Sequence, residues 1–439
     1  MEAEDVTTNV NIRELVLDIL TEVNEKEQYS HLVIRDVLNK YQYLEKQERA
    51  FLTRLAEGTI EHMLEMDFII NSFSKVKVNK MKPLIRNLLR MSVYQLKYMD
   101  AIPDAAVCNE AVKLAKKRGF GQLRGFVNGV LRNIARSMNE LHYPDEKLEP
   151  VTFLEVKYSL PTWIGKRWIE DYGYEKAKAI CESFFVERPI TIRTNLTKCT
   201  PEELVKRLKA EGVTVATIEG LDYAFEISGF DYLNGLESFE EGWFYVQDVS
   251  SMMVTEAAAP QKNNYVIDVC AAPGGKSSHM AECMEGTGMV EARDLTQYKV
   301  SLVEENIVRH GLTNMIAVQQ DALVFDEKSV NKADILICDL PCSGLGVMGK
   351  KTDIRYKMTE EKQKELVQLQ RSILDTVHTY VKQNGTLIYS TCTIHKDEND
   401  NNVEWFLKKY PEFTLVSKQQ MFPGKQFHDG FFVAKMIRK

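Results

Sequence analysis

The sequence has no Cys-x-x-Cys pair. Its eight cysteines stand apart, at positions 108, 181, 199, 270, 283, 338, 342 and 392. Cysteine-based zinc sites use closely spaced thiolates, so no metal is expected. No apolar run approaches the roughly 20 residues that a membrane-spanning helix needs, so no membrane partner is expected. The start, Met1-Glu2-Ala3-Glu4-Asp5, is acidic and unlike a secretory leader. The chain is therefore expected in the cytoplasm, where thiols stay reduced and a disulfide framework does not form. Any special cysteine would act as a thiolate. Proline is scarce as well: only Pro83 precedes Pro103, so little breaks a helix in the first quarter.

Two long windows lack acid. Asn71 to Met99 holds seven basic residues (Lys75, Lys77, Lys80, Lys82, Arg86, Arg90, Lys97), and Ala111 to Asn139 holds seven more (Lys113, Lys116, Lys117, Arg118, Arg124, Arg132, Arg136). The whole chain is acidic, with a net charge of −7, so its basic charge is concentrated. Such asymmetry suits a face for nucleic-acid phosphates, although a single charge run is more often a solvated helix face.

A length of 439 residues exceeds one ordinary core and implies two or three domains. From about Val10 to Met138 the apolar residues recur at helical spacing: Ile12, Leu15, Val16, Ile19 and Leu20, then Phe51, Leu52, Leu55 and Ile60. Lys82 to Tyr98 predicts another helix, and Asn109 to Arg118 one that stops at Gly119. This is an all-α bundle over residues 1–143. Tyr143 to Pro150 is polar, carries two prolines and reads as a linker. Residues 151–240 read as a small α+β module, with a helical stretch through Trp163 and Trp168, a strand at Ile190–Arg193, a helix from Pro201 to Glu211, and strands near Val213–Ile218 and Phe225–Ile227.

Over residues 241–439 strands and helices alternate, which predicts an α/β doubly wound, Rossmann-like domain. Strands are expected at Tyr265–Val269, Gly288–Ala292, Met315–Gln319, Ile335–Asp339, Gly385–Ser390 and Gly430–Ile437. Helices are expected at Lys276–Met284, Tyr298–His310 and Thr359–Val381. In such a sheet ligands bind beyond the carboxyl ends of the strands, and the informative residues fall there. Asp268-Val269 leads into Cys270-Ala271-Ala272-Pro273-Gly274-Gly275-Lys276, a strand, a small-residue turn and a helix start. The glycines permit close approach, and the helix start offers amides to an anion. The spacing fits neither a phosphate loop nor a dinucleotide turn. It suits the carboxylate of S-adenosylmethionine. Asp294 could accept from ribose hydroxyls and Asp321 from an adenine amino group, although each acid alone is a weak sign, since such residues often cap helices. Asp339-Leu340-Pro341-Cys342-Ser343-Gly344 and Ser390-Thr391-Cys392-Thr393 place two cysteines at the ends of two strands expected to be neighbours.

The strings Cys270–Lys276, Asp339–Gly344 and Thr391-Cys392-Thr393 resemble the motifs of RNA 5-methylcytosine methyltransferases. The whole chain is similar to the Sun/Fmu (RsmB) family of bacterial 16S ribosomal RNA methyltransferases. Leu89–Leu96 and Phe126–Arg132 resemble the NusB-like RNA-binding domain of that family, and Thr191–Asn195 and Tyr245–Asp248 its middle module. Leu340, Thr352, Thr393 and Lys396 depart from the usual residues without removing a titrating group. The resemblance implies methyl transfer from S-adenosylmethionine to carbon 5 of a cytosine in 16S ribosomal RNA, with no DNA substrate. A thiolate adds at carbon 6 of the base and makes carbon 5 nucleophilic, as in covalent catalysis generally. Spacing does not say which cysteine attacks. DNA cytosine methyltransferases use a Pro-Cys cysteine, which points to Cys342, whereas the RNA family uses the Thr-Cys cysteine, which points to Cys392.

We follow the RNA family, with Cys342 assisting release. A helix expected at Asp397–Lys409 would begin just past Cys392 and favour its thiolate. Asp339, in the cofactor set as well as the catalytic one, would hydrogen-bond ring nitrogen 3. That role needs a shared proton and hence an elevated pKa. Lys350, Lys351, Arg355 and Lys357 form a candidate rim for RNA. Transfer RNA or large-subunit RNA are alternative substrates, and a catalytically silent RNA-binding scaffold is the alternative of another class. A monomer is expected.

Overall fold

The computed structural model describes residues 10–186, 188–424 and 427–439. The chain forms two compact units. One comprises the chain up to Glu182 together with Met348–Lys357, and the other Ser183–Val347 with Met358–Lys439. No helix among the described residues is long and apolar enough to cross a membrane.

The first unit is helical. Seven helices, Ile12–Glu25, Ser30–Lys40, Lys46–Glu61, Met63–Phe73, Pro83–Tyr98, Asp104–Lys117 and Arg124–Ser137, surround one apolar core. The period read from the sequence is the reason: Val16, Leu17, Ile19, Leu20 and Val23 fall on one face and are buried. Asn11 caps the first helix by accepting from the Glu14 amide at 3.1 Å. Pro83 occupies the first turn of its helix, where its missing N–H costs no hydrogen bond.

The basic windows divide into two sets. Arg86, Arg90, Lys97, Lys113, Lys117 and Arg118 are ion-paired with acids of the same unit, so their charge is internally answered. The other eight, Lys75, Lys77, Lys80, Lys82, Lys116, Arg124, Arg132 and Arg136, are exposed. Lys113 and Lys117 are exposed as well as paired, so the face holds eight cations without an ion pair among the described residues and two with one.

The rim expected after the second cysteine motif needs correction. Arg355 is buried within the helical unit, where its guanidinium donates to the Tyr158 carbonyl at 3.0 Å and the Met348 carbonyl at 3.3 Å. Lys357 pairs with Asp353, whose carboxylate also accepts from the Ser30 hydroxyl at 2.6 Å. Both cations are structural. Lys350 and Lys351 are exposed.

The second unit contains two sheets. The smaller has the order β2-β3-β1-β4, all antiparallel, with β1 Ile190–Thr194, β2 Thr214–Ile218, β3 Leu221–Ser228 and β4 Phe244–Val246. Thr200 and Glu203 form a capping box that starts the helix Pro201–Ala210. The stretch expected as one module at 151–240 is shared between the units. Its first helices, Pro150–Tyr158 and Thr162–Tyr172, belong to the helical unit, and its sheet is completed only by β4, beyond residue 240.

The larger sheet has the order β10-β11-β9-β8-β5-β6-β7. Its strands are β5 Tyr265–Asp268, β6 Met289–Asp294, β7 Met315–Gln319, β8 Ala333–Asp339, β9 Val381–Thr391, β10 Phe413–Met421 and β11 Phe431–Arg438. Strands β5 to β9 are parallel, and β11 and β10 close one edge in antiparallel fashion. Central strands of a parallel sheet are covered on both faces, and Val266, Ile267, Leu336 and Ile337 are fully buried. Thr296 and Thr359 cap the helices Gln297–His310 and Glu360–Val377. The helix after β9 spans Asp400–Lys409, starting later than expected, and β10 was not foreseen.

Candidate active site

The strand order reverses between β5 and β8. That switch point is where an open α/β sheet leaves a crevice. The turn after β5, the turn after β8 and the turn after the adjacent β9 all end there.

The two cysteines are brought together. Strands β8 and β9 pair in parallel with Asp339 opposite Ser390, so the chains leave the sheet side by side. Past the sheet the pairing continues: the Leu340 amide donates to the Ser390 carbonyl at 3.2 Å, and the Gly346 amide to the Cys392 carbonyl at 3.1 Å. Gly346 makes this possible, since a Cβ there would lie 1.9 Å from the Gly430 carbonyl oxygen. The hydroxyls of Ser343 and Thr393 meet at 2.9 Å. The outcome is a Cys342 Sγ to Cys392 Sγ separation of 3.2 Å, a hydrogen-bonding distance for sulfur. Cys342 is pushed well above the ordinary thiol range, first by its bond to Cys392 and then by burial, with the charges of Cys392 and Glu398 adding. The pair therefore favours a thiol at Cys342 donating to sulfur at Cys392. The other cysteines near the sheet, Cys270 and Cys338, are raised chiefly by burial and are poor nucleophiles.

Asp339 carries the partners of a carboxylate: the Lys276 ammonium donates to Oδ2 at 2.6 Å and the Ser390 hydroxyl to Oδ1 at 2.8 Å. Both of its oxygens are thus occupied. Its neighbour Asp268 is pushed to about 7 by burial and by the Asp339 charge against a 2.6 Å hydrogen bond from the Ser277 hydroxyl. Burial alone would lower the Lys276 ammonium. Asp339 outweighs it, and Asp268 and Cys392 add, so Lys276 stays firmly cationic. Lys276, more than a helix start, is thus the positive charge acting on Cys392. The later helix begins at Asp400, and its capping residue Asn399 instead donates to the Thr393 carbonyl at 3.0 Å, bracing the Cys392 turn.

The small-residue turn is built as expected. The Ala271 amide donates to the Arg293 carbonyl at 2.8 Å, and the Ala272 amide to Asp294 Oδ2 at 2.9 Å. Gly274 has φ +101°, a value that suits glycine, and it opens the helix Gly275–Cys283. Cys270, Pro273 and Gly275 complete the turn. Asp294 ends β6, and Asp321 follows β7, where its Oδ1 accepts from the Leu323 amide at 2.9 Å. This donor set fits S-adenosylmethionine: amides at a helix start for a carboxylate, and carboxylates at successive strand ends for hydroxyl and amino groups.

Three family models match consecutive parts of the chain: the NusB family over residues 10–136, a ferredoxin-like domain of RsmF/B-like methyltransferases over 160–230, and the 16S rRNA methyltransferase RsmB/F over 255–437. A probable ribosomal RNA small subunit methyltransferase B of Bacillus subtilis is 35% identical, covering 98% of this chain and 99% of the relative. The chain belongs to the ribosomal RNA small subunit methyltransferase B family. A second member, from Synechocystis, is 30% identical over 97% of the chain. A crystal structure titled PH0851 superposes with a TM-score of 0.82 at 26% identity, covering 97% of this chain and 99% of that one. Like the family, the chain is an S-adenosylmethionine-dependent methyltransferase.

Several supports of this site go beyond the sequence reading. Lys276 is expected in the cofactor turn, and its side chain also reaches Asp339. Ser390 holds the other oxygen of Asp339, and Glu398 and Gln370 lie beneath the Pro-Cys turn. Only the strand pairing of Asp339 with Ser390 could have signalled one of them.

Proposed function

We propose that the chain forms 5-methylcytosine in 16S ribosomal RNA, with Cys392 as nucleophile and Cys342 as the group that assists release. The observation that carries this is the pair of sulfurs at 3.2 Å beside the Lys276–Asp339 ion pair. In functional terms the chain divides into a NusB-like RNA-binding region at 1–143, an RNA-positioning module at 151–240, its first helices in the helical unit and its sheet completed by β4, and a methyltransferase region at 241–439. It acts as a monomer in the cytoplasm. The eight exposed basic residues of the two acid-free windows that carry no ion pair among the described residues meet RNA phosphates, an interaction that weakens with salt.

Cys270 to Lys276, with Asp294, Asp321 and Asp339, would hold S-adenosylmethionine, which supplies an electrophilic methyl group. Lys276 stabilises the Cys392 thiolate, which adds to carbon 6 of the cytosine. The carbon 5–carbon 6 electron pair shifts toward the ring nitrogen 3 and oxygen 2, where the Lys276 ammonium can donate. Asp339 accepts from the amino group of the base. Carbon 5 becomes nucleophilic as a result. Once carbon 5 is methylated, its proton leaves to water and its electron pair restores the ring double bond. The carbon–sulfur bond breaks toward Cys392, and the Cys342 thiol donates a hydrogen bond to the departing thiolate. A base presented this way must be unstacked, so a loop or end of the RNA is the target.

The test is methyl transfer from labelled S-adenosylmethionine to a 16S transcript, with nucleoside analysis of the product. Label in 5-methylcytosine, lost in Cys392→Ala and trapped as a protein–RNA adduct in Cys342→Ala, is expected. Label on another atom, or an active Cys392→Ala, would overturn the assignment.

A further inference from the structure

Glu398 is a fully buried carboxyl in the turn between β9 and the helix Asp400–Lys409. Among the described residues it has no ion-pair partner, and burial raises its pKa against its hydrogen bonds. A buried acid without a cation is costly, and core packing alone does not explain one. Its contacts do. Glu398 Oε2 accepts from the Ser343 amide at 2.8 Å and from Gln370 Nε2 at 3.1 Å. The same Gln370 Nε2 donates to the Pro341 carbonyl at 2.9 Å. The residues on either side of Cys342 are therefore gripped by one carboxyl–amide pair. That pair is itself anchored, since Gln370 Oε1 accepts from Asn402 Nδ2 at 2.7 Å and the Tyr389 hydroxyl donates to the Glu398 carbonyl.

We propose that Glu398, with Gln370, is a positioning residue for the release step: it fixes the Pro341–Ser343 turn so that the sulfur of Cys342 stays against Cys392. The inference rests on the reading of Cys342 as the release group. Glu398 touches neither base nor methyl donor. Its grip falls on the residues flanking Cys342, while Asp339 is held separately by Lys276 and Ser390 and the Thr393 carbonyl beside Cys392 by Asn399. Cys342 is held as a thiol first by its bond to Cys392 and then by burial, and the thiol is the form that can donate to a departing thiolate.

The experiment follows the covalent adduct on denaturing gels, using the full chain, S-adenosylmethionine and a 16S transcript. Cys342→Ala, Glu398→Ala, Glu398→Gln and Gln370→Leu are run beside wild type. Glu398→Ala is expected to accumulate adduct as Cys342→Ala does, several-fold above wild type, after one methyl transfer. Glu398→Gln keeps an acceptor for the Ser343 amide and should clear most of it. Should Glu398→Ala not fold, Gln370→Leu, which loses the bond to Pro341, carries the same expectation with a smaller excess. Adduct in Cys342→Ala but none in Glu398→Ala or Gln370→Leu, with uniformly slowed turnover, overturns the inference. No adduct even in Cys342→Ala shows instead that the reading of Cys342 has failed, and the inference falls with it.

Discussion

Glu65 in the helical unit and Asp268 in the methyltransferase unit are both buried carboxyls, and they titrate in opposite directions. Burial would raise Glu65. A hydrogen bond from His62, the Lys97 charge and the hydroxyls of Tyr98 and Tyr143 reverse that and bring it down to about 2. Burial raises Asp268 as well, yet its main support is a single hydroxyl, and the neighbouring Asp339 pushes it further, to about 7. At Glu65 the helical unit answers the buried charge with four partners, whereas burial still raises Glu57 and Glu61 of the same unit. The methyltransferase unit leaves charge under-compensated at the strand ends, where protons and electron pairs must move.

The comparison can be broken from either side. Its largest consequence lies at the sulfurs. Cys392→Ala should lower turnover by more than about a thousandfold while thermal stability stays close to wild type. A large drop in melting temperature would show that the thiol pair is structural. Lys276→Met should cost about a hundredfold or more in turnover, again with stability nearly kept, as read by steady-state rates beside thermal melts. A variant that unfolds would place Lys276 with the scaffold.

Glu65→Gln should do the reverse. The shift from the ordinary 4.5 to about 2 corresponds to roughly 3 kcal/mol of stability. A depressed carboxyl contributes its stability above the unfolded pKa and loses it as pH falls through the folded one. The difference between wild type and Glu65→Gln in urea titrations should therefore be full near neutrality and shrink from about pH 4.5 toward 2. The folded variant should retain its chemistry. The smallest effect concerns RNA. Lys80→Glu with Arg132→Glu should weaken binding about tenfold and lower the salt slope by about 1 per residue. Lys113→Glu, already paired with Glu110, should change it less than about twofold. Equal losses would erase the distinction between unpaired and internally paired cations.

Much of the catalytic unit was legible because buried parallel strands read as short apolar runs and their ends carry small or titrating residues. Asp268, Asp294, Asp339, Cys342 and Cys392 all sit where that pattern puts them. Strand β10 was not legible, since Lys418, Gln419 and Gln420 lie on a partly solvated edge that obscures the alternation. The helix past Cys392 was drawn too early, because Asp397 and Glu398 read as a first turn whereas they form the bend before Asn399. Arg355 looked like a rim cation because sequence shows charge and not the two carbonyls that bury it. Glu398 and Gln370, 28 residues apart, meet only through the packing of a helix against a turn, which no local pattern encodes.

The most direct test of the central claim is bisulfite sequencing of ribosomal RNA from a strain lacking this chain. The strain would be complemented with wild type or with Cys392→Ala. The account predicts that one cytosine of 16S RNA loses protection, regains it with wild type and does not regain it with Cys392→Ala. Unchanged protection throughout 16S RNA, or full restoration by Cys392→Ala, would contradict it.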